Sequence, residues 1–170
     1  MDFNYCVREL LANAIAIQHL VAGIDAEQAR WKPSPKDWSV LEVINHLADE
    51  EREDFRAHIR HVLSGSDQPA PPIDPQSWVI QRAYNQRDLG ESLADYLQER
   101  QRSLEWLRGL TGVSWDMTIP EVPQPGFRLG DLLVAWVAHD MLHQRQLVEL
   151  KWAHGLIAFA PFDPEYAGEW

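Results

Sequence analysis

Apolar residues recur at three- and four-residue steps in four stretches of the chain, the spacing of an amphipathic α-helix. The first stretch sets Phe3, Val7, Leu10, Leu11, Ala14, Ile17 and Val21 on one face and stops near Gly23. The second opens on Ser39-Val40-Leu41-Glu42, a capping-box pattern in which serine caps the first turn and glutamate reaches back. It continues through Ile44, Leu47, Ala48, Phe55, Ile59 and Val62 to Gly65. The third carries Leu89, Leu93, Tyr96, Leu97, Leu104 and Leu107 and stops around Gly109 and Gly112. The fourth runs Leu129, Leu132, Leu133, Trp136, Val137, Leu147 and Leu150, with Asp131 near its positive end. Alternating strand patterns are almost absent, so the pattern predicts an all-α four-helix bundle.

The prolines agree with this division. All eleven fall in four groups, at 33 and 35, at 69, 71, 72 and 75, at 120, 123 and 125, and at 161 and 164. Proline lacks an amide donor and clashes with the preceding helical turn, so these groups belong between helices. Roughly 20 or more residues join the second helix to the third, long for a compact domain. Helices of about 20 residues are about 30 Å long, a span such a linker can cross. The expected order is therefore up-down-down-up, with a long crossover between the second and third helices. One domain over residues 1–170 accommodates all of this. The aromatic tail after Pro161, with Phe162, Tyr166 and Trp170, is expected to pack on the bundle.

Composition narrows the function classes. Fifteen Lys and Arg face twenty-six Asp and Glu, a formal net charge of −11. That balance argues against a nucleic-acid partner, which needs a basic footprint. No apolar run approaches a membrane span. Cys6 is the only cysteine, so neither an internal disulfide nor a cysteine zinc site can form. The start, Met1-Asp2-Phe3-Asn4-Tyr5, has no signal-peptide pattern. A cytoplasmic protein is expected.

Candidate chemistry lies among the seven histidines. His139-Asp140-Met141-Leu142-His143 sits on the fourth helix, and a spacing of four places the two rings about 40° apart and about 6 Å along the axis. Both imidazoles can reach one ion. The pair also continues the apolar stripe, so an alternative reading makes them core histidines bonded to buried polar groups. It is not a zincin helix, since Asp140 stands where that motif has glutamate. His46 is the candidate third ligand, although an ideal wheel puts it toward the edge away from Ile44, Ala48 and Phe55. Three histidines with open positions would hold Zn²⁺, Ni²⁺ or Fe²⁺. Glu50, one turn from His46, could orient a ligand or act as an acid/base, or belong to a solvated charged face running from Asp49 to Asp54. His58 and His61 suit the negative end of their helix. Gln144 and Gln146 flank His143. Trp38, entering the second helix, and Trp136, one turn before His139, are expected to wall the site.

Trp38-Ser39-Val40-Leu41-Glu42-Val43-Ile44-Asn45-His46-Leu47-Ala48, followed by His139-Asp140-Met141-Leu142-His143-Gln144-Arg145-Gln146-Leu147, resembles the DinB-like family of bacterial four-helix proteins. The resemblance covers nearly the whole chain. It implies an up-down-down-up bundle, a divalent metal held by His46, His139 and His143, and a homodimer. It also implies metal-dependent hydrolases, low-molecular-weight thiol S-transferases or a thiol-dependent isomerase as relatives.

The expected function is accordingly a metal-dependent enzyme for a small-molecule substrate, a hydrolase or a thiol S-transferase with a low-molecular-weight thiol cosubstrate. The alternatives are a non-catalytic metal-binding or stress-response protein and a plain helical dimer without metal. No clear clamp for such a thiol is present; Arg145 and Arg128 could bind its carboxylate, but both read as surface residues.

Overall fold

In the computed structural model the four periodic stretches are helical, and the structure describes residues 1–119 and 124–170. Pro120 and Pro123 of the third proline group lie outside the described residues. Helix α1 (Phe3–Val21) is capped by the Asp2 carboxylate, which accepts the Tyr5 amide. A short α2 (Ala26–Arg30) follows. Helix α3 (Val40–Asp49) starts with the expected capping box: Ser39 Oγ accepts the Glu42 amide, and Glu42 Oε2 accepts the Ser39 amide.

The second stretch is not one regular helix. After α3 the chain makes a π-helical segment, Glu50–Phe55, before α4 (Arg56–Ser64), which ends at Gly65 with φ +62°. The connection from α4 onward contains its own structure, α5 (Pro75–Gln81) and a 3₁₀ turn at Tyr84–Gln86. Helices α6 (Leu89–Arg108) and α7 (Leu129–Phe159) complete the set. One isolated bridge joins Thr118 and Arg128, and no strand occurs among the described residues. No helix among the described residues is long and apolar enough to cross a membrane.

Among the described residues two large apolar clusters fill the bundle, with a small third at Trp78, Val79 and Tyr84. One gathers Val7, Leu10, Phe55, Ile59, Leu104, Leu107, Leu133 and Trp136, and the other Ala14, Ile17, Val43, Ile44, Leu47, Tyr96, Leu147 and Leu150. On every long helical stretch the boundary between them carries polar side chains: Asn13 on α1, Asp49 to Glu51 at the π segment, Arg100 on α6, and His139 to His143 on α7. Buried polar groups are costly unless paired, so a polar layer through the middle of a bundle calls for a specific chemical purpose.

The aromatic tail packs only at its end. Trp170 stacks on Trp152 with ring centroids 4.6 Å apart, whereas Phe162 and Tyr166 are exposed.

Candidate metal centre

Three imidazoles converge within the polar layer. His46 comes from α3, where every residue is buried, and His139 and His143 come one turn apart from α7. Their Nε2 atoms form a near-equilateral triangle: 3.2 Å from His46 to His139, 3.1 Å from His46 to His143 and 3.1 Å between the α7 pair. An imidazole Nε2 offers one in-plane function, either an N–H or a lone pair. Three atoms sharing two roles must leave one like pair in contact, N–H against N–H or lone pair against lone pair. Hydrogen bonding therefore cannot satisfy the triangle, whereas one cation satisfies three converging lone pairs at once.

The surroundings favour the lone-pair form. His143 Nδ1 donates to Gln146 Oε1 at 2.8 Å, which leaves its Nε2 unprotonated when the ring is neutral. Burial, then the two neighbouring imidazoles, lowers the His46 pKa to about 2. Burial, then His143, lowers His139 to about 3, and burial lowers His143 as well. All three are neutral near pH 7. We expect Gln146→Leu, which removes the acceptor on Nδ1, to weaken divalent-ion binding by about 10- to 100-fold, read by competition with a chromophoric chelator.

Glu50 opens the π segment directly below His46. Its Oε1 lies 3.6 Å from His46 Nδ1, and the two facing atoms are both buried without a hydrogen-bond partner. Burial first, then hydrogen bonding to Asp54, pushes the Glu50 pKa up to about 9, and a nearby cation acts in the opposite direction. The π turn also explains why a straight wheel misplaces Phe55 relative to His46. One extra residue in a turn swings the later side chains back by roughly 100°. Phe55 thereby comes round to the histidine side, edge-on to His139 at 5.2 Å and stacked on Trp136 at 5.5 Å.

A cavity of about 540 Å³ lies over the triangle. The three histidines and Glu50 line it, together with Lys36, Asp37 and Trp38 ahead of α3, Pro75 and Gln76 at the start of α5, and Gln146. Trp38 stands edge-on to His46 at 4.8 Å and parallel to His143 at 6.3 Å. The segment between α4 and α6 thus contributes to the rim through the start of α5.

With this geometry in view, the sequence profile described as the DinB superfamily matches residues 10–147. The chain belongs to the DinB superfamily. Its fold is also that of YfiT from Bacillus subtilis, described as a probable metal-dependent hydrolase with an unusual four-helix bundle topology. The two chains are 22% identical and superpose with a TM-score of 0.74 over 90% of this chain and 87% of YfiT. No curated protein matches the chain.

In this DinB superfamily member the four residues singled out in the sequence, His46, His139, His143 and Glu50, meet at one cavity. Several other expectations need correction. Asp49, Glu50 and Glu51 are buried rather than part of a solvated face. Trp136 is 1% exposed and does not line the cavity; its indole N–H donates to Glu51 instead. Arg145 and Arg128, by contrast, lie on the surface as the sequence reading has them: Arg145 pairs with Glu149 and Arg128 with Asp131 and Asp116, and neither lines the cavity. Gln144 bonds Asn13, and His58 Nδ1 bonds Asp54. Sequence reasoning missed Lys36 and Gln76, both of which line the cavity. Both lie in connections whose approach to the site no local pattern reveals.

Proposed function

We propose that this protein is a metal-dependent enzyme acting on a small-molecule substrate, with His46, His139 and His143 holding one divalent ion (Zn²⁺, Ni²⁺ or Fe²⁺). The observation that carries the reading is the triangle of Nε2 atoms facing an open cavity, since three ligands with a free side is the pattern of a catalytic rather than a structural site. Such an ion lowers the pKa of water or of a thiol and so supplies a nucleophile near neutral pH. Hydrolysis is the principal reading, and the likeness to YfiT, described as a metal-dependent hydrolase, supports it. Transfer of a low-molecular-weight thiol uses the same site and differs in what fills its open side. Glu50 serves as the acid/base, at the floor of the cavity beside His46. Trp38 shields one wall from water, and Lys36 offers its ammonium to an anionic group of the substrate.

The framework belongs to the same proposal. Along α1 and α7 the chain meets the Trp136 cluster before the Leu147 cluster, and along α3 to α4 and along α6 it meets them in reverse. That order supports an up-down-down-up bundle forming one domain over residues 1–170. The outward face of α7, with Val134, Met141 and Leu142 exposed, supports a homodimer. We place the protein in the cytoplasm, in keeping with its single buried thiol, Cys6.

The test is a panel of hydrolysable esters, amides and phosphoesters, and separately a small thiol with an electrophilic acceptor, each assayed before and after chelation. Turnover that disappears on chelation and returns with metal is the expected result. A rate indifferent to chelation contradicts metal chemistry, and metal binding without turnover in either panel favours a binding protein.

A further inference from the structure

A buried ion cluster in the bundle lies outside the cavity lining. Arg100, 2% exposed, sits in the polar layer between the two apolar clusters. Its Nε donates to Glu51 Oε1 at 2.8 Å, and its two terminal nitrogens fork onto Asp140, 2.7 Å to Oδ2 and 2.8 Å to Oδ1. It also donates to the Leu10 carbonyl on α1. Each carboxylate partner is the chain neighbour of a site residue: Glu51 follows Glu50, and Asp140 follows His139.

We propose that Arg100 is a positioning residue for the histidine triangle, setting the distance between the α3 ligand and the α7 ligand pair. The inference rests on the metal-site reading above. Helix α3 packs mainly on α6, and α7 mainly on α1, so direct packing of the two ligand-bearing helices on each other is the smaller part of what holds them. The guanidinium on α6 bridges them. A planar fork fixes both partners in one geometry, which a lysine ammonium on a flexible stem cannot do.

Stability alone does not account for this cluster. Buried ion pairs are poor stabilisers because desolvation offsets their attraction, and apolar residues of similar volume often replace them without loss. This one is also incompletely satisfied, with Glu51 Oε2 buried and unpartnered.

Cobalt(II) is the probe, because its visible absorption reports ligand geometry independently of turnover. Wild type, Arg100→Lys and the apolar triple variant Glu51→Leu/Arg100→Met/Asp140→Leu are titrated with cobalt, and helicity and urea unfolding are recorded in parallel. The lysine variant is expected to bind cobalt at least about tenfold more weakly with an altered visible spectrum, the scale of lost outer-shell support. The triple variant is expected to fold yet show the same loss, which a purely structural role would not produce. A folded variant with wild-type affinity and spectrum overturns the positioning role and leaves the metal site standing. If both variants fail to fold, the cluster is a determinant of the fold and the proposal also falls. If wild type takes up no cobalt, the metal reading itself is wrong and carries the positioning role down with it.

Discussion

His143→Ala is expected to bind a divalent ion at least about 100-fold more weakly than wild type, beyond the 10- to 100-fold that loss of an outer-shell partner costs. The side chain supplies one corner of a triangle whose edges are 3.1–3.2 Å, and the two remaining imidazoles leave half of a tetrahedral shell to solvent. Competition with a chromophoric chelator measures the change. Unfolding of the metal-free protein separates this account from the alternative of core histidines. If the three rings were held by ordinary hydrogen bonds, removing one would strand a buried partner and cost about 1–3 kcal/mol. On the present account the metal-free triangle already contains a repulsive like pair, so deleting one ring costs the metal-free protein little beyond packing. Unchanged ion affinity, or a large loss of metal-free stability, would count against the site.

Glu50→Gln carries the second large effect. The glutamine keeps the shape of the side chain in a position only 4% exposed, but it cannot accept a proton. Turnover is expected to fall by about 10²- to 10⁴-fold, the range for a positioned general acid or base. Ion affinity is expected to change much less, because glutamine, unlike the leucine of Gln146→Leu, keeps a side-chain oxygen to face His46 Nδ1. Parallel measurement of turnover and ion affinity in the two proteins checks this. Intact turnover would remove the acid/base role from Glu50 while leaving the histidines in place.

Legibility in the sequence depends on which forces are local. Proline and helical periodicity act within a few residues, so the four long helical stretches and the Ser39 capping box were legible. The His139–His143 pair was legible for the same reason, since four residues make one turn. His46 was not legible from periodicity. A wheel drawn straight through residues 44 to 55 assumes an unbroken α-helix, and the Glu50–Phe55 π turn breaks that assumption. No residue type signals the turn; it lets Glu51 meet Arg100 and Phe55 meet Trp136 from one short segment. The wheel also assumes one buried face, whereas α3 is covered all round.

Arg100 was hidden more deeply. In Leu97-Gln98-Glu99-Arg100-Gln101-Arg102 it reads as one charge of a solvated face. Its partners lie 49 and 40 positions away in the chain, so only the assembled bundle shows that it is buried. The cavity rim was hidden likewise, because Lys36 and Gln76 reach it from connections without periodicity.

The most direct test of the metal centre is elemental analysis of the full-length protein, expressed and purified without an affinity tag or chelator. The account predicts about one divalent transition-metal ion per chain, bound by the three histidines, and almost none in the His139→Ala/His143→Ala variant. Wild-type protein that is folded but free of stoichiometric metal, or a double variant that retains it, would contradict the account.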